Sequence, residues 1–150
     1  MLSSGQKFAY QNLYLACDQA GLDLKDHLLG RWPFLPWRDL GTNSSASVDY
    51  PDYAQKLCNE MQPHLADSCG ILICGSGQGM VIQANRFAFI RAALCTSVEA
   101  ARLARAHNDA NVLCLGARMI SKELAESIVQ TYLQTNFEGG RHQARIDKLC

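Results

Sequence analysis

Five short apolar runs, each followed by a longer stretch with helical spacing, constrain this chain more than any other feature. The runs are NLYLAC (12–17), LPWRDLG (35–41), CGILIC (69–74), FIRAALC (89–95) and NVLCLGA (111–117). After the first, Leu22, Leu24, Leu28 and Leu29 repeat at helical spacing over 22–32, until Pro33 and Pro36 break the pattern. A polar loop is expected over 42–49. Pro51 suits the first turn of a helix that Tyr53, Ala54, Leu57, Met61 and Leu65 continue. Residues 80–88 and 98–108 read as helices. Ser121 is placed to cap a helix over 122–137, with Glu123 and Glu126 near its positive end. Gly139-Gly140 should stop that helix, and 141–150 should begin a last one. Strands alternating with helices imply parallel pairing through right-handed crossovers. The expected fold is a three-layer α/β sandwich of the doubly wound type, forming one domain over 1–150 with residues 1–11 as an N-terminal extension.

Such sheets bind ligands beyond the carboxyl ends of their strands. That rule selects Asp18-Gln19, the stretch Cys74-Gly75-Ser76-Gly77-Gln78-Gly79, and Arg118. Alternate glycines permit positive φ and close approach of backbone N–H groups to a ligand. A helix follows, so an anion site is one reading and a tight ligand-free turn is the other. A dinucleotide loop is disfavoured. Its spacing wants a further glycine where Met80 stands, and the next run, FIRAALCTS, ends without an acidic residue. Cys74 is either a packing residue or a thiol whose pKa is lowered by a helix N-terminus. His107 lies at a helix-to-loop edge beside Asn108. Arg141 and Arg145 are one helical turn apart and, with Lys148, form either a solvated stripe or a phosphate clamp.

Composition narrows the classes. Lys and Arg balance Asp and Glu at 14 each, so there is no basic excess for sequence-independent nucleic-acid binding. Seven cysteines, with no C-x-x-C pair, fit a reduced cytoplasmic compartment rather than a disulfide scaffold. His27, His64, His107 and His142 show no zinc-ligand spacing with them, and no metal is expected. No run approaches the ~20 apolar residues of a membrane span, and the first residues lack a secretory pattern.

Five motifs, DQAG (18–21), DYP (49–51), ICGSGQGM (73–80), RAHNDANVL (105–113) and GGRHQARID (139–147), occur in an order and spacing that resemble type B ribose-5-phosphate isomerases. The wider group includes allose-6-phosphate isomerases and the subunits of galactose-6-phosphate isomerase. The resemblance implies a Rossmann-like fold with a five-stranded parallel sheet. It also implies a homodimer, sometimes paired into a tetramer, with active sites shared across the interface and a C-terminal helix reaching the partner. The implied reaction is aldose–ketose isomerisation of a sugar phosphate without metal or organic cofactor.

Carried over by position, Cys74 is the base. Backbone N–H groups of Gly75, Ser76, Gly77, Gln78 and Gly79 hold the enediolate oxygen, and the Ser76 hydroxyl shuttles a proton. His107 assists ring opening, Asp18 contacts sugar hydroxyls and Asn108 binds the enediolate region. Arg118, Arg141 and Arg145 are substrate and phosphate contacts, some of them reaching across the dimer. With Met80 and no glutamate there, the pattern is that of the cysteine branch. Gln19 departs from it, standing where the family usually has a phosphate-binding histidine. A six-carbon substrate (allose 6-phosphate or galactose 6-phosphate) and a non-catalytic sugar-phosphate-binding subunit are therefore the alternatives.

Overall fold

A computed structural model describes residues 1–149. The strands are β1 (Asn12–Cys17), β2 (Trp37–Asp39), β3 (Ser68–Cys74), β4 (Ala92–Leu94) and β5 (Val112–Gly116). The helices are α1 (Leu22–Arg31), α2 (Tyr50–Met61), α3 (Gln78–Ala84), α4 (Val98–Ala106), α5 (Lys122–Gln134) and α6 (Arg141–Ile146). All strand pairs are parallel, in the order β2-β1-β3-β5-β4. The expected five-stranded α/β sandwich is present.

Strand order fixes which face each helix covers. Connections that move toward β4 (α2 and α3) and those that move back (α1 and α4) must lie on opposite faces if every crossover is right-handed. The packing agrees. Leu24 and Leu28 of α1, Ala101 and Ala104 of α4, and Ile128 and Val129 of α5 share one core with Leu13, Leu15, Ile71, Ile73, Leu113 and Leu115. Ala54, Leu57 and Met61 of α2, with Met80 and Ala84 of α3, share the other with Tyr14, Ala16, Leu72, Val112 and Cys114. Alternate residues of β1, β3 and β5 thus enter different cores, which explains why these strands read as unbroken apolar runs.

Several expected boundaries shift. The second and fourth runs form three-residue edge strands instead of spanning 35–41 and 89–95. The second helix ends at Met61, and Pro63 lies in the 310 turn Gln62–Asp67 that replaces its continuation to Leu65. Helix α3 starts at Gln78, before Met80, and stops at Ala84. Helix α5 ends at Gln134, ahead of Gly139-Gly140, whose positive φ values (66° and 56°) shape the turn into α6. Ser121 and Ser97 cap α5 and α4 through their hydroxyls. Segment 1–11 lies back on the domain: Leu2 is buried, and Phe8 and Tyr10 pack against the first core. Buried Lys25 of α1 donates to both Asp39 oxygens at 2.8 Å and to Asn43 Oδ1 at 2.8 Å, anchoring the loop after β2 beside the end of β1. Among the described residues no helix is long and apolar enough to cross a membrane.

Candidate active site

The carboxyl ends of β1, β3 and β5 lie side by side. Cys17 is in register with Ile73, and Cys74 with Gly116. Asp18 and Arg118 therefore flank Cys74 from the two neighbouring strands, which stand ~4.8 Å away on either side. Asp18 is buried, and its Oδ1 accepts from the N–H groups of Ala20 (3.0 Å) and Gly21 (3.2 Å), fixing the turn after β1. The Gln19 side-chain oxygen accepts from the Val48 N–H at 3.0 Å, so this residue ties down the loop before α2 and leaves its amide NH2 as a donor. Beyond the sheet, Ala117 N–H donates to the Cys74 carbonyl (2.8 Å) and Arg118 N–H to the Gly75 carbonyl (3.0 Å). The ends of β3 and β5 are zipped past the last rung of the ladder.

The three glycines of the loop have different reasons. Only Gly77 has positive φ (78°), and it caps α3 with its N–H turned back onto Cys74 Sγ at 3.1 Å. Gly79 is set by contact, since a Cβ there would lie 2.3 Å from the Tyr50 ring. Gly75 lies under the Arg118 guanidinium, 3.0 Å from where a Cβ would stand. The Gln78 N–H donates to Ser76 Oγ at 3.3 Å. Two of the five backbone donors expected to face a ligand are thus engaged within the loop, leaving the N–H groups of Gly75, Ser76 and Gly79 to consider. Ser76 and Gln78 are exposed at the loop's crest.

Cys74 differs from the other described cysteines. Burial pushes the thiols of Cys17, Cys58 and Cys69 up to about 12, that of Cys95 to about 11, and that of Cys114 well above its ordinary value. Those five are 0–1% exposed, whereas Cys74 is 5% exposed and accepts a backbone N–H. Iodoacetamide at pH 7.5 is therefore expected to alkylate Cys74 alone among these six in the folded protein, with the other five reacting after denaturation. Peptide mapping on a Cys150→Ser background reads this out, and labelling of Cys17 or Cys114 at an equal rate would contradict it.

The remaining expected residues lie at the other end of the sheet. Helix α4 runs antiparallel to the strands, so His107 and Asn108 come down beside their amino ends. The Asn111 carbonyl accepts from Gly70 N–H at 3.0 Å, at the start of β3 and four residues before Cys74. That is ~13 Å along the strand, and His107 lies further down the chain's return. His107 stacks on His142 of α6, with ring centroids 4.2 Å apart and planes 15° apart. The Glu138 carboxylate stands 3.8 Å from His107 Nε2 and 3.5 Å from His142 Nε2. Burial, followed by His107 and Arg141, holds the His142 pKa below the usual histidine range. Arg141 and Arg145 are exposed on α6. One chain therefore groups Asp18, Gln19, Cys74–Gly79 and Arg118 at one end, and His107, Asn108, Arg141 and Arg145 at the other.

Sequence reasoning missed His142, Glu138 and Asp109. The i,i+4 spacing of Glu138 and His142, and the turn-forming NDAN stretch, were the available signals. His107, Glu138 and His142 also form a three-residue group whose ligand atoms lie within 4.8 Å of one another. The near-parallel rings direct their in-plane lone pairs side by side rather than at one point, so a metal would need one ring to turn.

The ribose/galactose isomerase family model matches residues 13–149. Ribose-5-phosphate isomerase B of Escherichia coli is 42% identical over 143 residues, covering 93% of this chain and 94% of that protein. The crystal structure of a ribose 5-phosphate isomerase from Thermotoga maritima superposes with a TM-score of 0.88 at 48% identity, covering 92% of this chain and 96% of that one. Ribose-5-phosphate isomerase B from Mycoplasma genitalium, solved with bound ribulose-5-phosphate, gives a TM-score of 0.86 at 41% identity, with 95% of each chain covered. With the fold, the strand-end cysteine and these likenesses in agreement, the chain belongs to the ribose/galactose isomerase family.

Proposed function

We propose that this protein interconverts ribose 5-phosphate and ribulose 5-phosphate through a cis-enediolate, with Cys74 as the base. The observation that carries the reading is the Cys74 sulfur at the end of β3, held by the Gly77 N–H at 3.1 Å and flanked by Asp18 and Arg118. Likeness to the ribulose-5-phosphate-bound Mycoplasma genitalium enzyme supports it. His107 assists opening of the furanose ring. The Cys74 thiolate then takes the proton from C2, and charge moves to the carbonyl oxygen on C1. The backbone donors of Gly75, Ser76 and Gly79 stabilise that oxygen. The Ser76 hydroxyl passes a proton between the two substrate oxygens, and the thiol returns its proton to C1, restoring the thiolate. Asp18 contacts the sugar hydroxyls and Asn108 the enediolate region, while Arg118, Arg141 and Arg145 supply substrate and phosphate contacts, a task guanidinium forks suit. A carbon acid beside a carbonyl is weak, so both a matched base and oxyanion support are required.

This chemistry needs the two groups of residues in one place. Within a chain they lie at opposite ends of β3 and β5, so the Cys74 group of one subunit must meet the His107 group of another. A two-fold dimer does this twice, completing two equal sites.

The phosphate end is where the substrate is chosen. Gln19 donates without charge, and its carbonyl is engaged by Val48. The deciding experiment is a coupled isomerase assay over ribose 5-phosphate, allose 6-phosphate and galactose 6-phosphate, with Gln19→His beside the parent. The highest kcat/KM is expected for ribose 5-phosphate, and Gln19→His should lower KM by several-fold, as one added charge-assisted phosphate contact would. A clear preference for a six-carbon sugar would replace the pentose reading. Calorimetric binding without turnover would remove the enzyme reading altogether.

A further inference from the structure

Asp109 is the one non-glycine residue with positive φ (45°) among the described residues. It follows His107 and Asn108 directly. Left-handed backbone is uncommon outside glycine, and aspartate is among the residues that tolerate it best. Here it is held from several sides. Asp109 Oδ1 accepts from Arg105 Nη1 at 2.9 Å, and Oδ2 from Arg91 Nη2 at 3.3 Å. The two arginines come from different elements, Arg105 from α4 and Arg91 from the residue before β4.

The same arginines also hold the backbone of the turn. Arg91 Nε donates to the Asn108 carbonyl (3.1 Å), and its Nε and Nη2 donate to the Asp109 carbonyl (3.0 and 2.9 Å). Arg105 Nη1 donates to the Ala110 carbonyl (2.7 Å), which also accepts from the Tyr132 hydroxyl (2.6 Å). Three consecutive carbonyls, 108 to 110, are thus pinned. Arg105 is buried and lies over the Tyr132 ring. The side chains of His107 and Asn108 take no part in the clamp.

A paired buried charge is weak as a source of stability, because desolvation offsets its attraction. What such a clamp supplies is direction. We propose that Asp109, held between Arg91 and Arg105, is the positioning residue that aims His107 and Asn108 at the sugar. The carboxylate fixes the left-handed turn, and the turn sets the angle at which both side chains leave the backbone. The inference rests on the proposed roles of His107 and Asn108, and it assigns Asp109 no contact with substrate.

Asp109→Gly tests it, because glycine accepts the same φ but has no carboxylate. Its kcat is expected to fall roughly 10- to 100-fold, the scale of ~1 Å misplacement. KM should stay near the parental value, since Arg141 and Arg145 are untouched. Asp109→Asn, which keeps the turn and one acceptor, should recover part of the loss. In a His107→Ala background Asp109→Gly should cost a smaller factor than in the parent, since only the aiming of Asn108 is left to lose, the non-additivity expected of residues acting through one another. Parental kcat for Asp109→Gly, with His107→Ala impaired, would overturn the positioning role alone. So would an equal fold loss in both backgrounds, which marks general loosening. If His107→Ala itself turns over at the parental rate, the role given to His107 fails and the positioning role falls with it. Should Asp109→Gly not fold, Arg91→Met removes one arm of the clamp without touching the strained residue, and the same comparisons apply.

Discussion

Cys74→Ala is expected to bind ribose 5-phosphate and to turn it over roughly 10^2- to 10^4-fold more slowly, the range a positioned general base contributes. Alanine leaves the loop intact, since Gly77 keeps its left-handed cap and the Gly79–Tyr50 contact does not involve the sulfur. No other described thiol can substitute. Cys114 is fully buried on β5 and Cys17 on β1, and burial raises both thiols far above neutrality. Cys74→Ser should be nearly as slow, because a hydroxyl at the same place is far harder to deprotonate. The measurement pairs steady-state kcat with calorimetric Kd. Isomerisation at the parental rate would mean that the base lies elsewhere.

The second large effect is a restoration. In the two-fold dimer proposed above, Cys74→Ala and His107→Ala are each expected to retain only a small residual activity as homodimers. Unfolded together and refolded as a mixture, half of the dimers should be hybrid. In a hybrid, one site receives both damaged groups and the other receives neither. Activity should therefore return to about a quarter of the parental value at equal mixing, a consequence of two-fold symmetry with shared sites. The separation is topological. Helix α4 must run back along the sheet, so His107 finishes at the amino end of β5 while Cys74 sits at the carboxyl end of β3. No recovery above the sum of the two variants would show that each chain carries a complete site.

Much of this architecture is legible in the sequence, and the reasons are specific. The runs at 12–17, 69–74 and 111–117 are apolar throughout because both faces of β1, β3 and β5 are covered. The edge strands are less legible. In FIRAALC, Phe89 and Ile90 are apolar because they seat a turn on the second core, with Ile90 N–H bonded to the Phe87 carbonyl, and only Ala92–Leu94 pairs. The strand-end rule finds Asp18, Cys74 and Arg118 directly. It is silent on His107, Arg141 and Arg145, which sit at helix ends away from that edge. Asp109 was hidden for another reason. Its proposed role rests on a backbone angle, which no periodicity encodes, and on two partners, of which Arg105, four residues before it, stands at helical spacing while Arg91 lies 18 residues before it.

β2 and β4, at the sheet's two borders, are three residues each, while the interior strands run to five, six and seven. Unpaired strand edges are templates for open-ended addition of further chains, and shortness is one way to blunt them. With three rungs on either side, backbone pairing gives a neighbouring molecule little purchase. Encounters between copies are then decided by side-chain fit, which favours a closed assembly of fixed size over a growing stack. If two copies complete each other's sites as proposed, these short borders protect the chain from polymerising when the copies meet.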